Sequence, residues 1–290
     1  MSDIIEKLHG STIHHGPFNN RIFLLKLSAG DCPGILSELD EMAKERGYTK
    51  IIAKVPGGMA DDFIRKGYHS EARIKGYFRG GTSDPDVLFM VKYRGTQRAV
   101  DTDEEGTQSV LDRAVAERRA GVPARPPSSY VCRPADKSDT SKMAELYRKV
   151  FPTYPFPIDD PGFLAQTMDN DCRYMGVWKE GQLVSLASAD MDVTEKNAEM
   201  TDFATHPDHK GRRFAGLLLN RLETVIADEG IKTAYTIART RSFGMNITFS
   251  RAGYCFAGTL VNNTNISGNI ESMNVWYKSL SKKPVIAGGK

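Results

Sequence analysis

A proline-rich stretch near the middle of the chain, residues 120–127, places the strongest constraint on how these 290 residues can fold. Proline has no backbone N–H and a fixed φ, so such a stretch favours an extended spacer over a helix or a central strand. The helix that precedes it is predicted to begin at a capping box starting at Thr102. We therefore predict an N-terminal domain over residues 1–95, a helix and linker over 96–128, and a second domain over 129–290.

Hydrophobic periodicity in the second domain predicts strands and helices in the order β-α-α-β-β-β-α-β-α-β-β, which is an α/β chain with a mixed (α+β) sheet. An internal repeat accompanies this order, since residues 63–68 and 249–254 both read F-x-R-x-G-Y. Each copy follows an amphipathic helix, a glycine and an apolar strand, and each precedes two further strands. We therefore expect the N-terminal domain to be a truncated half of the second fold, equivalent to its back half.

The charge and composition of the chain exclude several classes of protein. The formal net charge is only +3 and the basic runs are short, which does not favour a nucleic-acid-binding surface. No run of about 18 apolar residues is present and the N-terminus lacks the apolar core of a signal peptide, so we expect no membrane association. The four cysteines form no C-x-x-C pair, which argues against a zinc site or a disulfide framework. A cytoplasmic protein without a bound metal is expected.

A strand, a turn and a basic loop containing a glycine lead directly into the helix predicted over residues 214–228. The loop consists of Lys210, Gly211, Arg212 and Arg213. The first turn of a helix presents free backbone N–H groups and a partial positive charge, so a basic loop at this point indicates an anion site. A solvated basic loop before an ordinary helix has the same local sequence, and the wider pattern must decide between the two.

That wider pattern resembles the GNAT superfamily of N-acetyltransferases, whose signature Q/R-x-x-G-x-G/A grips the pyrophosphate of acetyl-CoA. The matching segment begins at Lys210, after a His-Pro-Asp turn at residues 206–208. Lys210 stands where Gln or Arg is usual, and Arg213 replaces the usual glycine. The resemblance implies the GNAT fold and acetyl-CoA as co-substrate. It implies coenzyme contacts from the loop and helix (Lys210, Gly211, Arg212, Arg213, Phe214, Ala215 and Gly216), from the backbone of the preceding strand (Phe203, Ala204 and Thr205), and from Asn246 to the pantetheine arm.

The closer resemblance is to the β-lysine N-acetyltransferases, through residues 198–207, 253–263 and 271–278. Together with the additional N-terminal domain, it covers the full chain. It implies that the protein transfers an acetyl group to the terminal amine of β-lysine, which gives the osmolyte Nε-acetyl-β-lysine. Whether the enzyme forms a homodimer is left open. Two alternatives also stay open: another acceptor, such as a polyamine, lysine or a protein lysine, and a non-catalytic acyl-CoA sensor.

Amine acetylation needs a base, because a primary amine of pKa about 10.4 is almost wholly protonated at neutral pH. Glu199 and Asp202, on the strand before the loop, are the candidates, and the resemblance matches Glu199 to the base glutamate of some family members. Strand side chains alternate, so we expect only one of the two to line the cleft unless a bulge intervenes. Either carboxylate can instead bind the far amine of the acceptor or pair with a structural cation. Many family members protonate the leaving thiolate with a tyrosine where this chain has Phe249.

The wall of the acceptor site is expected in the aromatic, proline-rich segment around Tyr154, where a ring can bind an ammonium ion. A rigid turn with an anchoring aromatic is the structural alternative. The histidines His14 and His15 lie far from the loop in sequence and are expected to be structural. The N-terminal domain has no basic glycine loop before its helix, so we expect it to bind no coenzyme and to enclose the acceptor cleft.

Overall fold

The computed structural model describes residues 3–78, 85–118, 125–266 and 268–280. Residues 120–124 of the proline-rich stretch lie outside these ranges. The strands are β1 Ile4–Leu8, β2 Ser11–Gly16, β3 Arg21–Lys26, β4 Lys50–Pro56, β5 His69–Ile74, β6 Val87–Tyr93, β7 Val131–Pro134, β8 Cys172–Lys179, β9 Gln182–Asp192, β10 Asn197–Thr205, β11 Thr233–Arg239, β12 Cys255–Ile266 and β13 Asn269–Ser279. The helices are α1 Ile35–Glu45, α2 Ala60–Arg65, α3 Glu104–Ala116, α4 Thr140–Val150, α5 Pro161–Asp169, α6 Phe214–Asp228 and α7 Phe243–Arg251.

One continuous sheet runs through the molecule, in the order β1-β2-β3-β4-β6-β5-β12-β13-β11-β10-β9-β8-β7. We call β1–β6 with α1 and α2 the N-terminal half, and β7–β13 with α4–α7 the C-terminal half. The order of elements in the C-terminal half agrees with the order predicted from periodicity. The predicted domain boundaries stay a prediction, because the sheet crosses between the halves without interruption.

The two halves repeat one another in strand order and direction. The series β2-β3-β4-β6-β5 matches the series β9-β10-β11-β13-β12. In each series the second and third strands are parallel and every other neighbouring pair is antiparallel. The helix that joins the parallel pair is α1 in one half and α6 in the other. This correspondence supports the internal duplication inferred from the repeated motif.

The repeated F-x-R-x-G-Y motif makes the same local structure twice. The backbone N–H of Tyr68 donates to the carbonyl of Phe63, and that of Tyr254 donates to the carbonyl of Phe249, both at 3.1 Å. The two aromatic pairs pack edge to face, with ring centres 5.3 Å and 5.1 Å apart. The glycine of each motif ends its helix with a positive φ. The motif therefore stops a helix and anchors the following strand by one buried aromatic pair.

Apolar faces of the helices form the core of each half. In the C-terminal half, α6 packs Leu218, Leu222 and Ile226 against the central strands, and all three are fully buried. Their spacing of four residues puts them on one side of the helix, as its sequence predicted. None of the described helices is long and apolar enough to cross a membrane.

Helix α3 begins differently from the prediction. Its first residue is Glu104, and Asp103 at the N-cap makes no side-chain capping bond. Asp101 instead accepts hydrogen bonds from the backbone N–H of Asp103 and the hydroxyl of Thr107. The predicted capping box at Thr102 is therefore wrong, because an aspartate one residue earlier supplies the acceptor.

The halves meet where β5 lies beside β12, through the single register pair Ala72 and Gly258. Gly258 has a φ of 142°, and a Cβ placed on it would lie 2.0 Å from the carbonyl oxygen of Glu71. Only glycine permits so close an approach of the two backbones. The sheet can therefore continue from one half to the other only because position 258 carries no side chain.

Buried cations reinforce this junction beside the bridge. The register of β12 shifts between Leu260 and Thr264, and the carbonyls of the shifted residues face the N-terminal half. Three consecutive carbonyls each accept a hydrogen bond from a buried cation: Val261 from Lys50 Nζ at 2.6 Å, Asn262 from Arg98 Nε at 2.7 Å, and Asn263 from Arg21 Nη1 at 2.5 Å. The bulge in β12 thus docks the two halves at fixed positions.

Candidate active site

A cavity of about 860 Å³ lies between the two halves. Its walls come from β10, β11, and the N-terminal ends of α6 and α7 in the C-terminal half, and from β2, β3 and β4 in the N-terminal half. The cavity is continuous from the basic loop at Lys210 to the segment around Tyr154. A long ligand at the loop and a small ligand at the carboxylates would therefore share one space.

The parallel strands β10 and β11 separate inside this cavity. Their register ends at the pair Glu199 and Tyr235, although both strands continue. On its other side β10 pairs with β9 with a shift between Thr201 and Ala204, and Asp202 within the shift has a φ of 55°. This bulge breaks the alternation of side chains, so Glu199 and Asp202 both line the cavity. The exception that the sequence analysis allowed, a bulge in the strand, is therefore the arrangement found here.

Glu199 lies at the point where the strands separate. Tyr235 is beside it on β11, and the hydroxyl of Tyr235 accepts a hydrogen bond of 2.9 Å from Lys54 Nζ on β4. Burial raises the pKa of Glu199 above its ordinary value, and Lys54 opposes that rise. Burial alone would lower the pKa of Lys54, yet its pKa is raised overall because Tyr77, Glu199 and Asp190 favour the cation. Glu199 is thus a carboxylate poised to take a proton, with a cation from the other half nearby.

Asp202 is held by three hydroxyl groups. Its carboxylate accepts hydrogen bonds from Tyr154 Oη at 2.5 Å, from Ser188 Oγ at 2.7 Å and from Thr201 Oγ1 at 3.3 Å. Burial raises the pKa of Asp202, while these donors favour its ionised form. The predicted acceptor-wall residue and the predicted carboxylate are therefore in direct contact, and Tyr154 itself lines the cavity.

The basic loop has the backbone shape of an anion cradle. Gly211 has a φ of 77° with no other atom within 4 Å of where its Cβ would lie. Arg213, at the N-cap of α6, has a φ of 60° and makes no side-chain capping bond, so the first N–H groups of the helix stay free. A left-handed conformation costs a non-glycine residue about 1–2 kcal/mol, which explains why glycine is usual where this chain has Arg213. Lys210, Arg212 and Arg213 all line the cavity.

Other predicted coenzyme contacts are distributed unevenly. Phe203, Thr205, Phe214 and Ala215 line the cavity. Ala204 and Gly216 are buried in the core, so only their backbone groups are available to a ligand.

Asn246 does not reach the cavity. Its side chain is fully buried, and its Nδ2 donates to the carbonyls of Arg239 and Ser242 at 3.0 and 2.8 Å. Its Oδ1 accepts from Asn274 Nδ2 at 3.0 Å and from Trp276 Nε1 at 2.9 Å. The predicted contact with the pantetheine arm is wrong, because this amide is occupied in joining α7 to β11 and β13.

Phe249 lines the cavity and packs edge to face on Phe203, with ring centres 5.6 Å apart. Tyr254 is fully buried behind it. Neither residue can donate a proton to a group in the cavity, since one has no hydroxyl and the other has no access to it. Within the described ranges, no group of three or more His, Cys, Asp or Glu side chains is arranged to hold a metal ion.

The N-terminal half contributes cavity residues that sequence reasoning missed: His14, Arg21, Phe23 and Lys54. His14, which we expected to be structural, lines the cavity and stacks on Phe156, with ring centres 5.3 Å apart. Burial lowers its pKa to about 4. Lys54 offered the one available signal, because a lysine inside the apolar strand β4 needs a buried partner.

Comparisons with known proteins show the family of this chain. The profile of the Acetyltransferase (GNAT) family matches residues 141–245. The chain is 36% identical to the β-lysine N(6)-acetyltransferase of Methanococcus maripaludis, over 96% of this chain and 99% of that protein. It is 31% identical to the β-lysine N(6)-acetyltransferase of Methanosarcina mazei, over 85% of this chain and 97% of that protein. A solved spermidine N-acetyltransferase from Vibrio cholerae, in complex with CoA and spermine, is 18% identical with a TM-score of 0.46, over 54% of this chain and 98% of that chain.

Proposed function

The chain belongs to the GNAT family of N-acetyltransferases, and on that premise we propose that it transfers the acetyl group of acetyl-CoA to the terminal amine of β-lysine, giving Nε-acetyl-β-lysine for osmolyte synthesis. Acetyl transfer to an amine follows from the family and from the two nearly full-length relatives. The choice of acceptor is supported by the names of those relatives. The observation that carries the proposal is the single cavity that joins an anion cradle to a pair of carboxylates.

Acetyl-CoA, the co-substrate of GNAT enzymes, fits the basic end of the cavity. The uncapped N-terminus of α6 offers backbone N–H groups to the pyrophosphate, and Lys210, Arg212 and Arg213 add positive charge. Gly211 leaves open space at the loop. The backbone of Phe203, Ala204 and Thr205 lies on β10 beyond the last register pair with β11, which leaves the groups that point toward β11 available to the pantetheine arm. On its other side this segment stays paired with β9.

Glu199 is the proposed base. It accepts a proton from the substrate ammonium, directly or through one water, and the free amine then attacks the thioester carbonyl. A new C–N bond forms and the C–S bond breaks, so the products are the amide and coenzyme A. Backbone N–H groups at the end of β10 are proposed to donate to the oxyanion. Because Phe249 has no proton to donate, the thiolate takes its proton from water or from the attacking nitrogen, which must lose a second proton to become the amide.

Asp202 is the proposed acceptor-binding carboxylate. Burial raises the pKa of both carboxylates, but three hydroxyl donors hold Asp202 in place, so Glu199 is assigned as the base. Tyr154 then completes an anionic, aromatic wall that suits a cationic amine. The N-terminal half is proposed to enclose this end of the cavity and to bind no coenzyme.

The test is thiol release from acetyl-CoA by the full-length protein with β-lysine, α-lysine, spermidine and a lysine-containing peptide. Turnover with β-lysine far above the other amines is expected. Greater turnover with another amine would replace the acceptor and keep the reaction. Binding of acetyl-CoA with no thiol release from any amine would instead indicate the non-catalytic sensor.

A further inference from the structure

Three cavity-lining side chains at the junction of the halves carry buried polar atoms that no described residue satisfies. The atoms are Arg21 Nε, His14 Nε2 and Asn263 Oδ1. The three residues are 4%, 2% and 1% exposed, respectively. A buried polar atom without a partner is costly, and folded proteins rarely leave several together. We call these three residues the junction pocket, and their unmet hydrogen bonds indicate that a ligand belongs there.

Arg21 identifies the charge of that ligand. Its Nη1 donates to the carbonyl of Asn263 and to Thr264 Oγ1, both uncharged acceptors. Within the described residues, no carboxylate forms an ion pair with its guanidinium, and burial lowers its pKa to about 9. Asp3 and Glu199 favour the charged guanidinium only from a distance, and a guanidinium in a cavity with no carboxylate bonded to it is matched by the planar, two-oxygen geometry of a carboxylate. The ligand group beside Arg21 is therefore an anion of that kind.

The other two residues identify what accompanies the anion. His14 has its pKa lowered to about 4, so its ring is neutral at neutral pH and offers a hydrogen bond without a second positive charge. Asn263 Oδ1 is an acceptor, which suits an ammonium group. An amino-acid head group presents both a carboxylate and an ammonium, whereas a polyamine presents no carboxylate.

The wall between the junction pocket and the carboxylates contains the ring of Phe23 and the buried ammonium of Lys54. The ring of Phe23 has the guanidinium of Arg21 at 5.1 Å from its centre and Lys54 Nζ at 5.6 Å. Lys54 in turn contacts Tyr235, the register partner of Glu199. A path along this wall therefore passes from a cationic end, over an aromatic ring, to an acidic end. A diamino acid has the complementary order of charges, with a carboxylate at one end, a methylene chain in the middle and an ammonium at the other end.

We propose that the junction pocket binds the amino-acid end of the acceptor, with the carboxylate on Arg21 and His14 and the neighbouring ammonium on Asn263, while the distant amine reaches Glu199. This inference rests on the proposed acetylation of β-lysine and adds the source of its selectivity. The N-terminal half then recognises the acceptor by its charge rather than only enclosing it.

The experiment compares kcat/KM of the full-length protein for β-lysine and for β-lysinamide, in which the carboxylate is an uncharged amide. We expect the wild-type protein to prefer β-lysine by about a hundredfold, since that is the cost of leaving a buried charge without its partner. Arg21→Met is expected to lower kcat/KM for β-lysine by about a hundredfold, mainly through KM. It is expected to change kcat/KM for β-lysinamide by less than about threefold and to leave the KM for acetyl-CoA unchanged.

Arg98→Met is the matched control, because Arg98 is also a buried arginine that donates to a carbonyl of the β12 bulge but lies outside the cavity wall. It is expected to keep the preference for the acid over the amide. If Arg21→Met does not fold, the comparison of β-lysine with β-lysinamide in the wild-type protein tests the inference by itself. Equal use of β-lysine and β-lysinamide by the wild type, or equal losses for both in Arg21→Met, would overturn the inference. Failure of the proposed function has a different result: no turnover of β-lysine by the wild type, with another amine acetylated.

Discussion

Replacing Gly258 by alanine is expected to loosen the junction between the halves. The new Cβ would lie 2.0 Å from the carbonyl oxygen of Glu71 and 2.8 Å from the Cα of Ala72. Both are backbone atoms, so no side-chain rotation can relieve the contact. Overpacking costs about 1–3 kcal/mol, and a strained backbone at a φ of 142° costs a further amount of about 1–3 kcal/mol. The free energy of unfolding is therefore expected to fall by roughly 2–6 kcal/mol.

Urea titration and thermal unfolding measure this loss, and a decrease in Tm of roughly 5–15 °C is expected for a chain of this size. Gly181→Ala is the matched control, because Gly181 has a φ of 79° with no other atom within 4 Å of its Cβ position. It therefore reports the backbone strain without the close contact. The KM for the acceptor is expected to rise in Gly258→Ala while the KM for acetyl-CoA is unchanged, since only the acceptor end has walls from both halves. Equal destabilisation by the two substitutions would refute the argument.

Three further substitutions test the two ends of the cavity. Glu199→Gln is expected to lower kcat/KM most on the acid side of neutrality and to approach the wild-type value near the amine's own pKa of about 10.4. In the wild type, kcat/KM is expected to fall as the pH drops through the raised pKa of Glu199. An unaltered pH profile in Glu199→Gln would exclude this residue as the base. Gly211→Glu is expected to weaken acetyl-CoA binding by at least about tenfold through strain and repulsion of phosphate, measured by calorimetry, with acceptor KM as the control. Tyr154→Phe removes one donor from Asp202 and is expected to raise the acceptor KM by about threefold to tenfold; a change confined to acetyl-CoA binding would contradict the placement.

Local patterns in the sequence predicted much of the fold. The order of strands and helices in the C-terminal half follows from hydrophobic periodicity, because the residues that form the apolar face of each helix or strand all belong to that one element. The internal repeat was visible in the sequence because a helix ends in the same way at Gly67 and at Gly253, and this ending uses the same F-x-R-x-G-Y motif in both halves. The anion loop was also predictable, since its glycine, its basic residues and the helix after it are adjacent in the chain.

Features that depend on distant contacts were not predictable. Arg21 and Lys54 reach the cavity only because β5 and β12 join the two halves into one sheet, and one glycine in β12 gives no sign of that pairing. The bulge at Asp202 contains no glycine or proline that would indicate it in the sequence. The alternation of side chains along a strand therefore predicted opposite faces for the two carboxylates. Asn246 was misassigned because an asparagine on a helix gives no sign of whether its amide serves a ligand or the core.

The row of three carbonyls on β12 has a consequence for the response of the protein to ionic strength. Each of these carbonyls binds a basic side chain that is almost removed from solvent: Lys50 is 0% exposed, Arg21 4% and Arg98 9%. Salt weakens contacts between exposed charges and screens buried ones much less. The junction between the halves is therefore expected to stay intact, and the cavity to keep its shape, at salt concentrations that would weaken an interface made of surface ion pairs. A catalyst with the proposed role in osmolyte synthesis has to work while the ion concentration around it is rising.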